Sequence, residues 1–103
     1  MNVAVLIGRL TKDPEMRYAG DKAVVSFTLA VDNPHKKDDT SFIPIVAWGK
    51  TAENVGNYLT KGSQCAVQGR IQVRNYDDKE GNKRWVTEVV ADRVQFLGKK
   101  GAE

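Results

Sequence analysis

The sequence is poor in the residues that build disulfides, metal centres and membrane spans. Its 103 residues include one cysteine, one histidine and three prolines. A single cysteine cannot form an internal disulfide, and no Cys, Asp or Glu cluster stands at metal-ligand spacing around His35. The longest apolar run, from Val3 to Ile7, is far shorter than the roughly 20 residues of a membrane-spanning helix. We therefore expect no metal, no cofactor and no contact with a membrane.

The sequence also lacks a complete catalytic motif. Gly49-Lys50-Thr51 is similar to the end of a phosphate-binding P-loop, but Pro44 stands where that motif needs its first glycine. Asp38-Asp39 and Asp77-Asp78 are paired carboxylates in loops, a pattern typical of solvated turns. Cys65 falls on the apolar face of a strand, where a thiol behaves as a small hydrophobe. We expect no catalytic residue and no enzymatic activity.

What is present suits a small globular domain. Hydrophobic residues make up 41% and charged residues 28% of the chain, which leaves room for one core. The net charge of +3 and the pI near 9.1 favour an anionic partner without requiring one. The N-terminus lacks the charged-then-apolar pattern of a secretory signal, so we expect a cytoplasmic protein.

Alternating hydrophobicity and turn residues predict a mostly β domain. One short helix is predicted over Thr51 to Thr60, with Ala52, Val55 and Leu59 on its buried side and Thr51 as its N-terminal cap. Five strands are predicted: Val3 to Leu10, Ala23 to Val31, Phe42 to Trp48, Ser63 to Tyr76 and Arg84 to Leu97. This order predicts an OB-fold, a five-stranded Greek-key barrel with the helix between the third and fourth strands. We expect this domain to span 1–98 and a short disordered end to span 99–103.

Two of the predicted strands have unusual faces. Val3 to Leu10 is apolar at nearly every position, so both faces should be buried, one of them against another subunit. In Ser63 to Tyr76 the side chains alternate between two different surfaces. The odd positions form an apolar stripe that should be buried: Cys65, Val67, Gly69, Ile71 and Val73. The even positions form a polar face: Gln68, Arg70, Gln72, Arg74 and Tyr76.

Aromatic residues on strand faces are candidates for stacking on nucleobases. Phe42 and Trp48 share a face six residues apart, so their rings should be about 20 Å apart, a span of several stacked nucleotides. Stacking on an aromatic contributes roughly 1 to 3 kcal/mol per base with little dependence on the base. Tyr76 is in phase with Arg70 and Arg74. Trp85, across the hairpin, could equally be a core residue or a platform.

Basic residues on the same faces are candidates for phosphate contacts. Arg70 and Arg74 lie four residues apart on one face, and guanidinium groups suit phosphate oxygens. Weaker candidates are spread over the loops and strand ends: Arg84, Lys83, Lys79, Lys36, Lys37, Lys50 and Arg9. A solvated surface is the alternative for every one of these side chains.

The sequence resembles the bacterial single-stranded DNA-binding proteins, the SSB family, over essentially the whole predicted domain. The matching stretches are Asn2 to Leu10, Asp13 to Tyr18, Ala47 to Lys50, Ala52 to Asn54, Tyr58 to Ser63, Gly69-Arg70 and Thr87 to Ala91. Their order and spacing make the resemblance highly specific.

The resemblance implies an OB-fold that pairs through its first strand and assembles as a homotetramer. It also implies that single-stranded DNA wraps over the surface and stacks on aromatics, in DNA replication, recombination and repair near the nucleoid. The family's aromatic sites fall on Phe42, Trp48 and Tyr76. A fourth site falls near His35, where an imidazole is a poorer platform. Family members usually continue to an acidic tip that recruits repair proteins, and because this sequence ends at Glu103 we do not expect that recruitment from the residues present.

Two other binding classes remain open on the sequence alone. A primosome-type OB-fold adaptor would hold a protein partner and would show few exposed aromatics, so burial of Phe42 and Trp48 would favour it. An RNA-binding OB module of the cold-shock type would show a dense aromatic and Gly-rich motif, which we do not find. We therefore favour a single-stranded DNA-binding protein.

Overall fold

The computed structural model describes residues 1–98 and shows a mostly β fold with one helix. The expected disordered end, 99–103, lies outside the described residues. The elements are β1 (Ala4–Leu10), β2 (Glu15–Ala19), β3 (Lys22–Asp32), β4 (Thr40–Trp48), α1 (Gly49–Tyr58), β5 (Gln64–Asp77) and β6 (Lys83–Phe96).

The strands form one sheet in the order β1-β5-β6-β4-β3-β2, and β1 also pairs with β3 to close a ring of five strands. At two places the ring is closed by only a few paired residues. Only Arg9 and Leu10 of β1 pair with β3, and β4 pairs with β6, in parallel, only at Ile45 and Val46. The ring is that of the predicted OB-fold, although short pairings make it an irregular barrel.

The core fills the ring and extends under α1. Val25, Leu29, Ile45 and Val67 are among its fully buried side chains. Three residues of the helix region are also buried: Ala52, Val55 and Leu59. The predicted buried side of the helix is therefore confirmed, and α1 closes one end of the barrel.

The predicted start of the helix was wrong. The helix begins at Gly49, two residues before the predicted Thr51, and its N-cap is Trp48 without a side-chain hydrogen bond. Gly49 has a φ of 65°, a conformation that a residue with a side chain rarely adopts. The glycine lets the chain turn directly from β4 into α1, so Trp48 lies at the corner between strand and helix.

The structure has a sixth strand that the sequence did not predict. β2 runs antiparallel to β3, from Glu15 opposite Ser26 to Ala19 opposite Lys22. All five of its residues are exposed, so no face shows the apolar alternation that reveals a half-buried strand. Gly20, with a φ of 64°, makes the tight turn that pairs β2 with β3.

The predicted burial of Ile71 and Val73 was wrong in the isolated chain. Both are exposed, because β5 and β6 continue beyond the ring as a two-stranded arm with no core beneath it. Val5 and Ile7 are exposed as well, so one face of β1 is open in the single chain, and its expected contact with another subunit stays a prediction. Val24 of β3 is buried in a second small cluster with Val46 and Val90.

Candidate nucleic-acid interface

The strand register brings the even positions of three strands onto one outer face. Val46 of β4 pairs with Val90 of β6, and Val90 pairs with Arg70 of β5. Directly paired residues point to the same side of a sheet, and alternation extends that relation along each strand. The face, which we call the outer face, therefore includes Phe42, Trp48, Arg70, Gln72, Arg74 and Tyr76.

The three aromatic side chains on the outer face are open to solvent. The exposed fraction is 63% for Phe42, 46% for Trp48 and 47% for Tyr76. On the same face Val24, Val46 and Val90 form a small buried cluster, in which Val24 pairs directly with Trp48. Within the described part of the chain the only ring pair joins Tyr58 and Phe96, so the three rings do not stack on one another. Exposed rings that do not pack on one another are available to stack on a flat ligand.

Each of the three predicted arginines on the hairpin is paired with a carboxylate. Arg70 Nη1 lies 3.3 Å from Asp92 Oδ1, and Arg74 Nε lies 2.9 Å from Glu88 Oε2. Arg84 Nε lies 2.8 Å from Asp78 Oδ2. None of these three partners was predicted from the sequence, where the arginines were expected to be free cations. The local charge of the outer face is therefore lower than its arginines alone suggest.

Glu88 is a buried charged side chain beneath the outer face. Its Oε2 accepts hydrogen bonds from Gln72 Nε2 at 3.0 Å and from Arg74 Nε at 2.9 Å. Because a buried carboxylate needs such partners, it fixes the direction of both side chains. Glu88 and Arg74 also line an open cleft of about 300 Å³, bordered by Pro44 and Val86 on the diverging strands β4 and β6. This cleft could not be predicted from the sequence, because its lining comes from segments far apart in the chain.

Asp78 organises the tip of the hairpin. Its Oδ1 accepts hydrogen bonds from the backbone N–H groups of Glu80 and Asn82, both at 2.9 Å, while its Oδ2 accepts one from Arg84. The hydrogen bond from Arg84 is the largest cause that lowers the pKa of Asp78, followed by the one from the backbone of Asn82. A charged Asp78 therefore holds both the turn and Arg84 in place.

The weaker candidates lie around the edge of the outer face or away from it. Lys50 is in the first turn of α1, next to Trp48, and Lys36 and His35 are exposed in the 33–39 loop between β3 and β4. Arg9 donates a hydrogen bond to the backbone oxygen of Gly62 at 3.0 Å. Trp85 is 66% exposed but pairs with Asn75, so it lies on the opposite side of the hairpin from Tyr76.

Two further basic residues were not predicted as candidates and lie near this surface. Arg17 of β2 pairs with Val24, which pairs with Trp48, so Arg17 lies on the outer face near that ring. Recognising β2 as a strand would have revealed it. Arg93 pairs with Gln68 and is exposed. Neither arginine makes an ion pair within residues 1–98.

Other side chains of reactive type do not extend this site. Burial raises the pKa of the Cys65 thiol to about 11, so it is protonated near neutral pH and inert as a nucleophile. Between Met1 and Gly98 no group of three or more His, Cys, Asp or Glu residues could hold a metal ion. In the same part of the chain, no helix is long and apolar enough to cross a membrane.

Comparison with known proteins agrees with this geometry. The family model described as the single-strand binding protein family matches residues 1–97. Single-stranded DNA-binding proteins 3 and 2 of Clostridium acetobutylicum are 57% and 55% identical to this chain, and each alignment covers 94% of it. The alignments cover 71% and 77% of those relatives. The single-stranded DNA-binding protein of Clostridium tetani is 53% identical over 94% of this chain and 70% of its own length. The chain belongs to the single-strand binding protein family.

Proposed function

We propose that this protein binds and protects single-stranded DNA without regard to sequence, in DNA replication, recombination and repair. The observation that best supports this function is the exposure of Phe42, Trp48 and Tyr76 on one outer face of a chain from the single-strand binding protein family. The relatives that are identical to this chain at more than half of the aligned residues include three named single-stranded DNA-binding proteins.

The mechanism we propose combines stacking with phosphate contacts. Bases stack on Phe42, Trp48 and Tyr76, each stack contributing roughly 1 to 3 kcal/mol whatever the base. Phosphates contact the cations of the same face and its edge: Arg70, Arg74, Arg84, Lys50, Lys36 and Arg9. Arg17 joins this set, and His35 and Trp85 remain weaker stacking candidates. Double-stranded DNA would not bind in this way, because its bases are already stacked inside the helix.

We propose that the working form is a homotetramer. Val5 and Ile7 are exposed on the outer side of β1, whereas Ile71 and Val73 are exposed on the inner side of the hairpin arm. These are two separate apolar patches on opposite faces of the sheet. A tetramer with three two-fold axes needs at least two different self-complementary interfaces, and the two patches can supply them. The patch on β1 is the predicted first-strand interface.

The alternatives receive less support. Burial of Phe42 and Trp48 would have favoured the adaptor hypothesis, but both rings are exposed. We propose no catalytic activity, a cytoplasmic location near the nucleoid, and a single binding domain over 1–98. We assign no recruitment of repair proteins to these residues.

The first test is tryptophan fluorescence during titration with a long oligo-dT and, separately, with duplex DNA of the same length. The chain has two tryptophans, so Trp85→Phe leaves the signal of Trp48 alone and Trp48→Phe leaves the signal of Trp85 alone. We expect strong quenching of Trp48 by oligo-dT, weaker quenching of Trp85, and little response to duplex.

The titration is repeated at low and high salt to measure the share of phosphate contacts, because binding that releases counterions weakens as salt rises. If oligo-dT neither quenches the tryptophan fluorescence nor binds to the protein at low salt, the proposed function is refuted. Equal responses to the single strand and the duplex would refute the stacking mechanism.

A further inference from the structure

We propose that Asp92 limits the affinity for single-stranded DNA by competing with phosphate for the guanidinium of Arg70. This inference rests on the proposed function and concerns a carboxylate on the DNA-binding face itself. Asp92 Oδ1 lies 3.3 Å from Arg70 Nη1, and the two side chains are 64% and 51% exposed. Both partners are therefore open to a phosphate that approaches from solvent.

A β-bulge places Asp92 in this position. Gln68 pairs with Arg93, but the next residue, Gly69, pairs with Ala91, so Asp92 is the extra residue on β6. A bulge interrupts the alternation of a strand and changes the direction of the side chain at the extra residue. The result is an acidic side chain beside Arg70, on a face where the other exposed charges are mainly basic.

Asp92 differs from the other two carboxylates that pair with arginines here. Glu88 is buried and fixes Gln72 as well as Arg74, and Asp78 accepts two backbone hydrogen bonds that form the hairpin turn. Within the described residues the side chain of Asp92 accepts one hydrogen bond, which comes from Arg70. An exposed ion pair of this kind contributes little to stability. Its main consequence is to neutralise a cation that would otherwise face the DNA.

The size of the effect follows from the strength of an exposed ion pair. A phosphate that takes the guanidinium of Arg70 must displace Asp92, and losing an exposed pair of this kind weakens binding about threefold. The penalty is screened at high salt, because the Debye length falls from about 10 Å at 0.1 M to about 3 Å at 1 M. Asp92 thus reduces binding most strongly at low ionic strength, where the complex would otherwise be tightest.

The test is Asp92→Asn, which keeps the size of the side chain and removes its charge. In 50 mM salt we expect oligo-dT to bind the Asp92→Asn variant about threefold more tightly than the unmodified protein. We expect this gain in affinity to disappear near 1 M salt. Glu53→Gln is the matched control, because it removes the same charge from an exposed position on α1, off the outer face. The affinity of the Glu53→Gln variant for oligo-dT should change much less.

A double-mutant cycle with Arg70→Gln separates the specific mechanism from a general charge effect. If Asp92 acts through Arg70, the gain from Asp92→Asn disappears in the Arg70→Gln background. A gain that persists there, or one matched by Glu53→Gln, would overturn the inference, as would no gain at all in a folded variant. Failure of the unmodified protein to bind oligo-dT would instead refute the proposed function, so the two failures are distinct.

Discussion

At Gly69 the backbone of β5 lies close to the backbone of β6. A Cβ atom built on Gly69 would fall against the carbonyl oxygen of Val90, a backbone atom held in the sheet. We expect Gly69→Ala to destabilise the fold by about 1 to 3 kcal/mol, because neither strand can move aside without breaking its ladder. Urea unfolding followed by circular dichroism measures the loss.

Gly56→Ala is the matched control for that substitution. A Cβ on Gly56 would meet the terminal methyl of Met16, which is the far end of a flexible side chain. Replacing a glycine inside a helix by alanine also favours the helix by about 1 kcal/mol. We expect Gly56→Ala to be neutral or stabilising. If Gly69→Ala and Gly56→Ala destabilise the protein equally, the loss at Gly69 does not come from a clash with the backbone of Val90.

For individual residues, the sequence predicts the strand face on which a side chain lies but not its ion-pair partner. Alternation along β4 and β5 placed Phe42, Trp48 and Tyr76 on the faces where the structure has them, because the period of a strand depends only on local geometry. The ion pairs could not be predicted, since Asp92 and Glu88 meet their arginines across the sheet at separations of 22 and 14 residues. Contacts of that kind depend on register and on the bulge.

At the scale of elements, the hairpin tip is a turn that depends on one charge. The pKa of Asp78 is lowered, chiefly by Arg84, so its ionised form is favoured in the folded protein. A group with a lowered pKa contributes stability above its unfolded pKa, and the contribution is lost as pH falls through the folded value. We therefore expect the tip to stay ordered at neutral pH and to loosen only below about pH 4, the ordinary carboxyl range.

Amide proton chemical shifts of Glu80 and Asn82 measure this titration directly, since both amides donate to Asp78. We expect a midpoint below that of an ordinary aspartate in the unmodified protein and loss of that titration in Asp78→Asn. A midpoint at or above the ordinary carboxyl value would show that the ion pair with Arg84 does not hold in solution.

The elements themselves were predictable wherever one face is buried. The five strands of the ring and the buried side of α1 follow from periodicity, and the structure has each of them. β2 was missed because all of its residues are exposed, and the start of α1 was misplaced because a glycine, not a capping side chain, begins it. Both errors occur where a backbone turn, rather than burial, determines the local structure.

At the scale of the whole molecule, one chain leaves two apolar patches uncovered. The first contains Val5 and Ile7, and the second contains Ile71 and Val73. Patches of this kind on a small protein mark surfaces that another molecule covers. Because a further copy of this chain presents both patches, self-association can cover all of them and leave the outer aromatics free for DNA.

Charge substitutions test this assembly one patch at a time. Ile7→Glu would bury an unpaired carboxylate in the first interface, and Val73→Glu would do so in the second. We expect each single variant to sediment as a dimer, held by the interface that remains, and the double variant to sediment as a monomer. Phe42→Glu is the control, because it places the same charge on an exposed ring position outside both patches, and it should leave the tetramer intact. A tetramer that survives both substitutions, or one that Phe42→Glu dissociates, would show that the subunits meet through other surfaces.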